Sequence, residues 1–559
     1  MTSYAVTNPA TGQTLAEYPT ATDARIGQAL DAAHSAFLAW RRTALEERSA
    51  LLHRVADLYE ARREELGAII TREMGKPTAQ AGIEVDIVVS IYRYYADNGP
   101  KFLADEELEV TTGGRAVVRK EGLGVLLGIM PWNYPYYQVA RFAAPNLMNG
   151  NTILLKHAPQ CPKSALAMEQ IFADAGAPAG VYVNVFATND QVADIIADPR
   201  VQGVSLTGSE RAGSAVAEIA GRHLKKVVLE LGGSDPFLLL DTADVDASVE
   251  RAVFGRMVNG GQACNAAKRF VVVDEHYDAF VEKFTAALGS IEPSDPTHPE
   301  TFLGPLSSQA AADNLAAQVA SAVAEGAVVR TGGQKVAEDS AFFRPTVLTG
   351  ITPDMAVYRQ ELFGPVAMVF RAHDEDHAVA LANDTPFGLG ASVHTDDPEK
   401  AERVAGRIEA RLRSAAAESR LPRKRLDRAL LTDDERRGIA VRIGIGGASL
   451  IDALDTMEPL ARRAARDPAG VEAWRTSIAG VARRTDSAWA ALEQAAAREE
   501  AAWQEDVAQL RAWRRPRLPL WIVTLVVVAL ALWLGLVLGG FLTVPGFLRP
   551  FAEWWWALG

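Results

Sequence analysis

Cysteine is nearly absent: Cys161 and Cys264 are the only two in 559 residues. Two thiols cannot build a disulfide scaffold, and their scarcity suits a reducing compartment. Histidine is sparse as well, nine residues without ligand spacing, so no metal site is expected. Residues 1–410 have no basic stripe and a formal charge of −18, which argues against a nucleic-acid partner. The opening MTSYAVTNPATG has no charged start followed by an apolar run, so no secretory signal is expected. Lysine all but vanishes after residue 410: Lys424 is the only one there, every other basic residue is arginine, and the formal charge turns to +5. Such a break in charge pattern marks a boundary.

What is present fits a multidomain enzyme, since a chain this long exceeds one core. Residues 23–101 carry amphipathic helical stretches such as ALDAAHSAFLAW and RSALLHRVADLYEARREEL. From 124 onward short apolar runs, GVLLGIM, NTILLK, VYVNVFA, VQGVSL and KKVVLEL, alternate with helical stretches at 136–149, 163–176, 190–197 and 209–222. Continuous apolar runs of this kind are strands buried on both faces, which predicts a doubly wound parallel sheet. A second series, RFVVVDE, GAVVRTGG, FRPTVLTGI, PVAMVFRA and GLGASVHT with helices between, predicts another α/β lobe. After residue 410 no strand is expected; 411–517 reads as an Arg-rich helical segment. From Leu518 to Val544 no charged residue occurs, a length that crosses a hydrocarbon core of about 30 Å as a helix. Arg511, Arg514, Arg515 and Arg517 precede it, and Trp554–Trp556 lie in the tail 545–559. The arginines predict a cytoplasmic catalytic part anchored to the inner membrane by one C-terminal span.

The chemistry-bearing stretches are few. Cys264 stands in NGGQACNAAKR, where Gly260 and Gly261 permit a tight backbone turn. Glu230 stands in VVLELGGSDP, at the end of a predicted strand where α/β folds present groups to ligands. Taken singly, the cysteine reads as a small buried hydrophobe and the glutamate as an ion-paired carboxylate. Together with PWNYP at 131–135, LLKHAP at 154–159, LTGSERAG at 206–213 and ELFGPV at 361–366, these stretches resemble the NAD(P)-dependent aldehyde dehydrogenase family. The six motifs stand in the family's order, and Glu230 and Cys264 keep its separation.

The resemblance implies a Rossmann-type cofactor domain over 1–229, including part of an oligomerisation hairpin, and an α/β catalytic domain over 230–410. It implies that Cys264 attacks the aldehyde, that Asn133 and the Cys264 amide stabilise the oxyanion, and that Glu230 is the base for thioester hydrolysis. The cofactor residues it implies are Trp132, Lys156, Gly208, Ser209, Glu361 and Phe363. LTGSERAG places backbone amides and a helix start beside a pyrophosphate. NAD-preferring relatives often carry a glutamate at the position of Pro159; without that carboxylate Lys156 can pair with a 2′-phosphate, so NADP is expected, with NAD possible. Within the family the chain is most similar to bacterial succinate-semialdehyde dehydrogenases, which implies Arg141 as the cation for a carboxylate-bearing aldehyde. The family's glycine-rich C-terminal stretch is missing after Ala410, so its usual homo-oligomer is not expected here. The alternative reading is a membrane protein with a truncated, weakly active dehydrogenase module.

Overall fold

The computed structural model describes residues 4–110 and 114–410, together with the backbone of 412–417. Of the expected helical segment 411–517, residues 411 and 418–517 lie outside the described residues, as do the expected span 518–544 and the tail 545–559.

The chain opens with a hairpin, β1 (Tyr4–Thr7) and β2 (Thr14–Tyr18), followed by four helices, α1 (Asp23–Trp40), α2 (Leu45–Ala61), α3 (Arg63–Met74) and α4 (Thr78–Phe102). Helix α3 ends at Gly75 in the left-handed conformation, φ +79°, the usual stop that a residue without Cβ permits. A short antiparallel pair follows, β3 (Glu106–Leu108) and β4 (Ala116–Val118). Neither this pair nor the opening hairpin shows in the sequence as a strand, because all four strands are short and only β1 turns a buried face, Tyr4 and Val6, to the core.

The first large sheet uses β5 (Val125–Met130), α5 (Tyr137–Met148), β6 (Thr152–His157), α6 (Pro162–Asp174), β7 (Tyr182–Asn184), α7 (Asn189–Ala197), β8 (Val201–Thr207), α8 (Glu210–Arg222) and β9 (Lys226–Glu230). Its order is β7-β6-β5-β8-β9, with every pairing parallel. The predicted run VYVNVFA shrinks to three residues in β7 because that strand sits at the sheet edge, paired on one side alone. Helices α2, α4 and α5 pack on one face, burying Leu52, Val55, Tyr59, Val85 and Tyr92. Helix α1 covers the other face with Ile26, Leu30 and Ala33 against Val125 and Leu127.

The second sheet begins four residues after β9. It comprises β10 (Asp235–Leu239), α9 (Val245–Met257), β11 (Ala267–Val273), α10 (Asp274–Gly289), α11 (Gln309–Ala324), β12 (Val328–Thr331), β13 (Thr346–Thr349), β14 (Val366–Ala372), α12 (Glu375–Asn383), β15 (Gly390–Thr395), α13 (Pro398–Ala405) and β16 (Leu412–Ala417). The order is β12-β13-β14-β11-β10-β15-β16, parallel except for β12. Strand β10 was not among the expected strands, since glycines and a proline interrupt its approach, yet it lies near the centre of the sheet.

Strand β16 corrects the expectation that strands stop at 410. Leu412–Ala417 runs parallel to β15, from Gly390↔Leu412 to Thr395↔Ala417. Its sequence, LRSAAA, favours helix by propensity, but the outer edge of β15 offers a full row of backbone donors and acceptors, and pairing with that edge wins.

Candidate active site

In the first sheet the parallel strands deliver their carboxyl ends to one rim, the usual ligand side of such a sheet. Register aligns those ends: Met130 lies opposite His157 and Thr207 opposite Glu230. Pro131–Tyr136 leave β5, Lys156 and His157 end β6, Gly208 and Ser209 follow β8, and Glu230 ends β9.

The Asn133 loop is fastened from below by buried charge. Lys76 and Glu84, both about fully enclosed at 1% and 0% side-chain exposure, form an ion pair. Lys76 donates to the Asn133 carbonyl at 3.0 Å and stands 3.6 Å over the Tyr134 ring. Glu84 accepts from the Tyr136 and Tyr137 amides at 2.9 and 3.2 Å, where the first turn of α5 leaves its N–H groups unpaired. His157 Nε2 lies 2.9 Å from the Pro135 carbonyl, and burial pushes this imidazole down to a pKa of about 4.

Opposite this loop is the turn that carries Cys264. After α9 the chain passes through Asn259, Gly260 and Gly261 at φ +56°, +61° and +72°. Gly261 has no alternative: a Cβ there would sit 2.3 Å from the Gly364 carbonyl. The Asn133 amide nitrogen donates to the Gln262 carbonyl at 3.0 Å, and Asn259 Nδ2 reaches both that carbonyl and the Asn133 carbonyl, at 3.0 and 2.9 Å. The two sequence motifs are thus stitched together by their own amides. Fully buried Arg256 donates to Ala267 at 2.9 Å and to the Gly261 carbonyl.

Cys264 is partly exposed. Burial pushes its thiol pKa up, Lys268 and Arg141 pull it down, and Glu361 and Asp235 push it up again. Asp235 itself is raised to about 6 by burial, and accepts from the Gly390 amide at 3.0 Å. Gly232 and Gly233 bring the end of β9 against this cluster: a Cβ on Gly232 would meet Glu361 Oε2 at 2.5 Å, and one on Gly233 the Cys264 carbonyl at 2.6 Å.

Glu230 faces Arg141 of α5 across 3.7 Å, with side-chain exposures of 21% and 38%. Arg141 also lies 3.4 Å from the Thr207 hydroxyl. Both line a cavity of about 300 Å³ with Met130, Phe142, Val204 and Val228. Cys264 does not line it, but the Tyr137 phenol is perturbed by burial and then by Arg141, Cys264 and Glu230, which places all three within electrostatic reach of one ring.

The expected cofactor residues divide into those drawn together and those apart. Trp132 meets Phe363 edge to face at 5.7 Å between centroids, joining motifs more than 200 residues apart. Glu361 accepts from the Gly233 amide at 3.1 Å and pairs with Lys268 at 3.2 Å. Lys156 is buried away from these groups, 5.9 Å over the Tyr4 ring, with its pKa lowered to about 8 by burial. Ser209 caps α8 through its hydroxyl, 3.3 Å from the Ala212 amide. The Gly208 amide already donates to the Glu230 carbonyl at 2.9 Å, so what Gly208 can offer a pyrophosphate is room rather than a donor.

Sequence reasoning missed Lys268, Asp235, Arg256 and the Lys76–Glu84 pair. Lys268 is a charged residue on a strand buried throughout, a signal that an isolated charge must be neutralised or fully hydrogen-bonded; Arg256 lies on a half-exposed helix whose other charged residues face solvent, so nothing in the sequence set it apart. Lys76 and Glu84 sit among residues that read as an amphipathic helix, where solvent exposure was the natural expectation.

A cysteine on a turn of positive-φ residues, an asparagine amide converging on it and a carboxylate at a strand end, carried by two α/β lobes, form the arrangement that a thiol-dependent oxidoreductase uses. The chain belongs to the aldehyde dehydrogenase family, whose profile matches residues 1–412. It is 52% identical over 406 residues to a succinate-semialdehyde dehydrogenase [NADP(+)] of Deinococcus radiodurans, covering 73% of this chain and 85% of that one. A counterpart from Mycobacterium ulcerans is 45% identical over 409 residues, covering 73% and 89%. Among solved structures, succinic semialdehyde dehydrogenase from Streptococcus pyogenes in complex with NADP+ superimposes with a TM-score of 0.72 at 40% identity, over 76% of this chain and 93% of that one. The reaction class is NAD(P)-dependent aldehyde oxidation.

Proposed function

We propose that this chain oxidises succinate semialdehyde to succinate with NADP. The observation that carries the substrate is Arg141: a guanidinium in the same cavity as Glu230 and within electrostatic reach of Cys264 suits an aldehyde with a carboxylate at its far end. The relatives named above support the same reading.

The Cys264 thiolate adds to the aldehyde carbon, giving a thiohemiacetal oxyanion. The Asn133 side-chain amide and the Cys264 backbone N–H stabilise that oxyanion, and the Gln262 hydrogen bond orients Asn133 for it. NADP, when bound, accepts the hydride whose departure leaves a thioester on Cys264. Glu230 takes a proton from water, the water adds to the thioester carbon, and the thiol is released with the carboxylate. Arg141 stands 3.7 Å from the Glu230 carboxylate and so holds it at the cavity wall.

The residues fit NADP. Lys156 is a buried cation with no ion pair among the described residues, and Pro159 offers no carboxylate beside it to repel a 2′-phosphate. Lys156 would hold the adenosine ribose and its phosphate, Glu361 the nicotinamide ribose, Gly208 and Ser209 the pyrophosphate, and Trp132 with Phe363 the edges of the nicotinamide site. The test is NADP reduction by the purified full-length chain with succinate semialdehyde, against butanal and against NAD. Butanal turned over as efficiently as succinate semialdehyde would refute the substrate, and equal efficiency with NAD the cofactor.

One observation favours the second reading, a weakly active module. The cavity wall along β9 is open, with Val228 at 54% exposure, where a complete pocket would be closed. The uncharged run 518–544 supports a third element of the proposal, a single span that keeps the dehydrogenase lobes on the cytoplasmic side. Retention of the full-length protein in membranes through an alkaline carbonate wash tests it, and release into the supernatant would exclude it.

A further inference from the structure

Lys268 has no part in the chemistry above, yet among the described residues no charged group is more completely enclosed. It is the second residue of β11 and is fully buried. Its ammonium lies 2.9 Å from the Ala263 carbonyl, 2.9 Å from the Cys264 carbonyl and 3.2 Å from the Ala266 carbonyl. A fourth oxygen, Glu361 Oε1, lies 3.2 Å away. Three donors therefore serve three carbonyls of one short turn and a carboxylate carried 93 residues after Lys268. An ammonium stripped of water is tolerated only with this density of partners.

The geometry of the peptide unit gives those contacts a consequence. The Ala263 carbonyl and the Cys264 N–H belong to one peptide plane, and in a trans peptide they point in opposite directions; among the described residues no peptide bond is cis. With the carbonyl drawn onto Lys268, the Cys264 N–H is turned directly away from it. That N–H is the backbone donor assigned above to the oxyanion.

We propose that Lys268 is a positioning residue: by holding the Ala263, Cys264 and Ala266 carbonyls it aims the Cys264 amide at the oxyanion, and by pairing with Glu361 it ties the cofactor-ribose contact to the same point. This rests on the reading that Cys264 is the nucleophile and Glu361 the ribose ligand. Charge follows from position. The thiol is raised by burial and lowered by Lys268 first and Arg141 second, with Glu361 and Asp235 opposing them; Tyr134 and Tyr137 also face it.

The experiment compares wild type with Lys268→Met, Lys268→Gln and Lys268→Met/Glu361→Gln in the full-length protein. Two readouts are taken: steady-state kinetics, and the rate of Cys264 alkylation by iodoacetamide against pH without cofactor, followed by peptide mass. In Lys268→Met, kcat should fall about 100-fold with little change in aldehyde KM, as when one oxyanion donor is lost. Alkylation at pH 7.5 should slow about tenfold, equivalent to a one-unit rise of the thiol pKa. The double variant should remain slow, because neutralising Glu361 does not turn the peptide back. Lys268→Gln keeps two donors without charge; it should recover part of kcat while its alkylation profile stays displaced, and it decides the matter if Lys268→Met does not fold. Variants with lowered thermal stability but wild-type kcat and an unmoved alkylation profile would overturn the proposal, as would full recovery in the double variant. The underlying reading fails separately, if alkylation of Cys264 in the wild type leaves turnover intact.

Discussion

The turn bearing Cys264 and the strand end bearing Glu230, which the proposal assigns to one reaction, are held by opposite means. Arg256 and Lys268 grip the turn by its carbonyls, and the buried Lys76–Glu84 pair grips the Asn133 loop across from it. Glu230 instead meets Arg141 at 3.7 Å beside an open cavity, with both side chains partly in solvent. Exposed pairs of this sort constrain little, whereas buried charges with several hydrogen bonds leave a side chain one position. The difference matches the tasks. A nucleophile and an oxyanion donor must keep fixed places relative to a reacting carbon, and a general base must pass protons to and from water.

This contrast can be broken at several points, the first of which removes the reaction itself. Cys264→Ser should reduce aldehyde oxidation to the assay background, since a serine hydroxyl without a strong base is a poor nucleophile; appreciable turnover would remove Cys264 from its place in the comparison. Glu230→Gln should leave a single burst of reduced cofactor followed by a steady rate lower by about 10²–10⁴-fold, the usual worth of a general base. Stopped-flow absorbance at the reduced nicotinamide band separates the two phases, and an unchanged steady rate would show that the loosely held carboxylate is not the base.

The fixed side is probed by stability. Lys76→Met leaves Glu84 buried without its partner and should lower unfolding free energy by about 3–5 kcal/mol, whereas Lys76→Met with Glu84→Leu should recover most of that loss. If the pair exists to place Asn133, the double variant regains stability but not kcat; recovery of both would make it a packing device. The smallest effect concerns pH. Lys156, lowered to about 8 by burial, carries its charge below that pH and loses it above. The preference for NADP over NAD should therefore weaken as pH rises from 7 to 9, by up to about tenfold per unit beyond the transition. A flat ratio of kcat/KM values would show that another group reads the 2′-phosphate.

The lobes were legible because buried parallel strands write continuous apolar runs, and Val125–Met130, Thr152–His157 and Val366–Ala372 do so plainly. What could not be read depended on partners distant in sequence. Strand β10 is introduced by two glycines and contains a proline, and β16 exists because β15 has an edge to fill. In the site, motifs pointed to Cys264, Glu230, Asn133, Trp132 and Phe363; the fold joins Asn133 to the Cys264 turn and Trp132 to Phe363. Spacing could not reveal that Lys268 would converge on three carbonyls, that Glu361 would rest on Lys268, or that the Gly208 amide would be taken by Glu230. Arg141, expected at the mouth of a substrate tunnel, has Glu230 as a neighbour, a relation no linear pattern encodes.

The passage from one sheet to the other takes Leu231, Gly232, Gly233 and Ser234, and in the order of the strands it is the single crossing between them. Glu361 lies against the first of its glycines and the Cys264 carbonyl against the second. A side chain at either glycine would therefore push the end of β9 away from Glu361 or from the Cys264 turn, so the crossing needs both residues bare of Cβ.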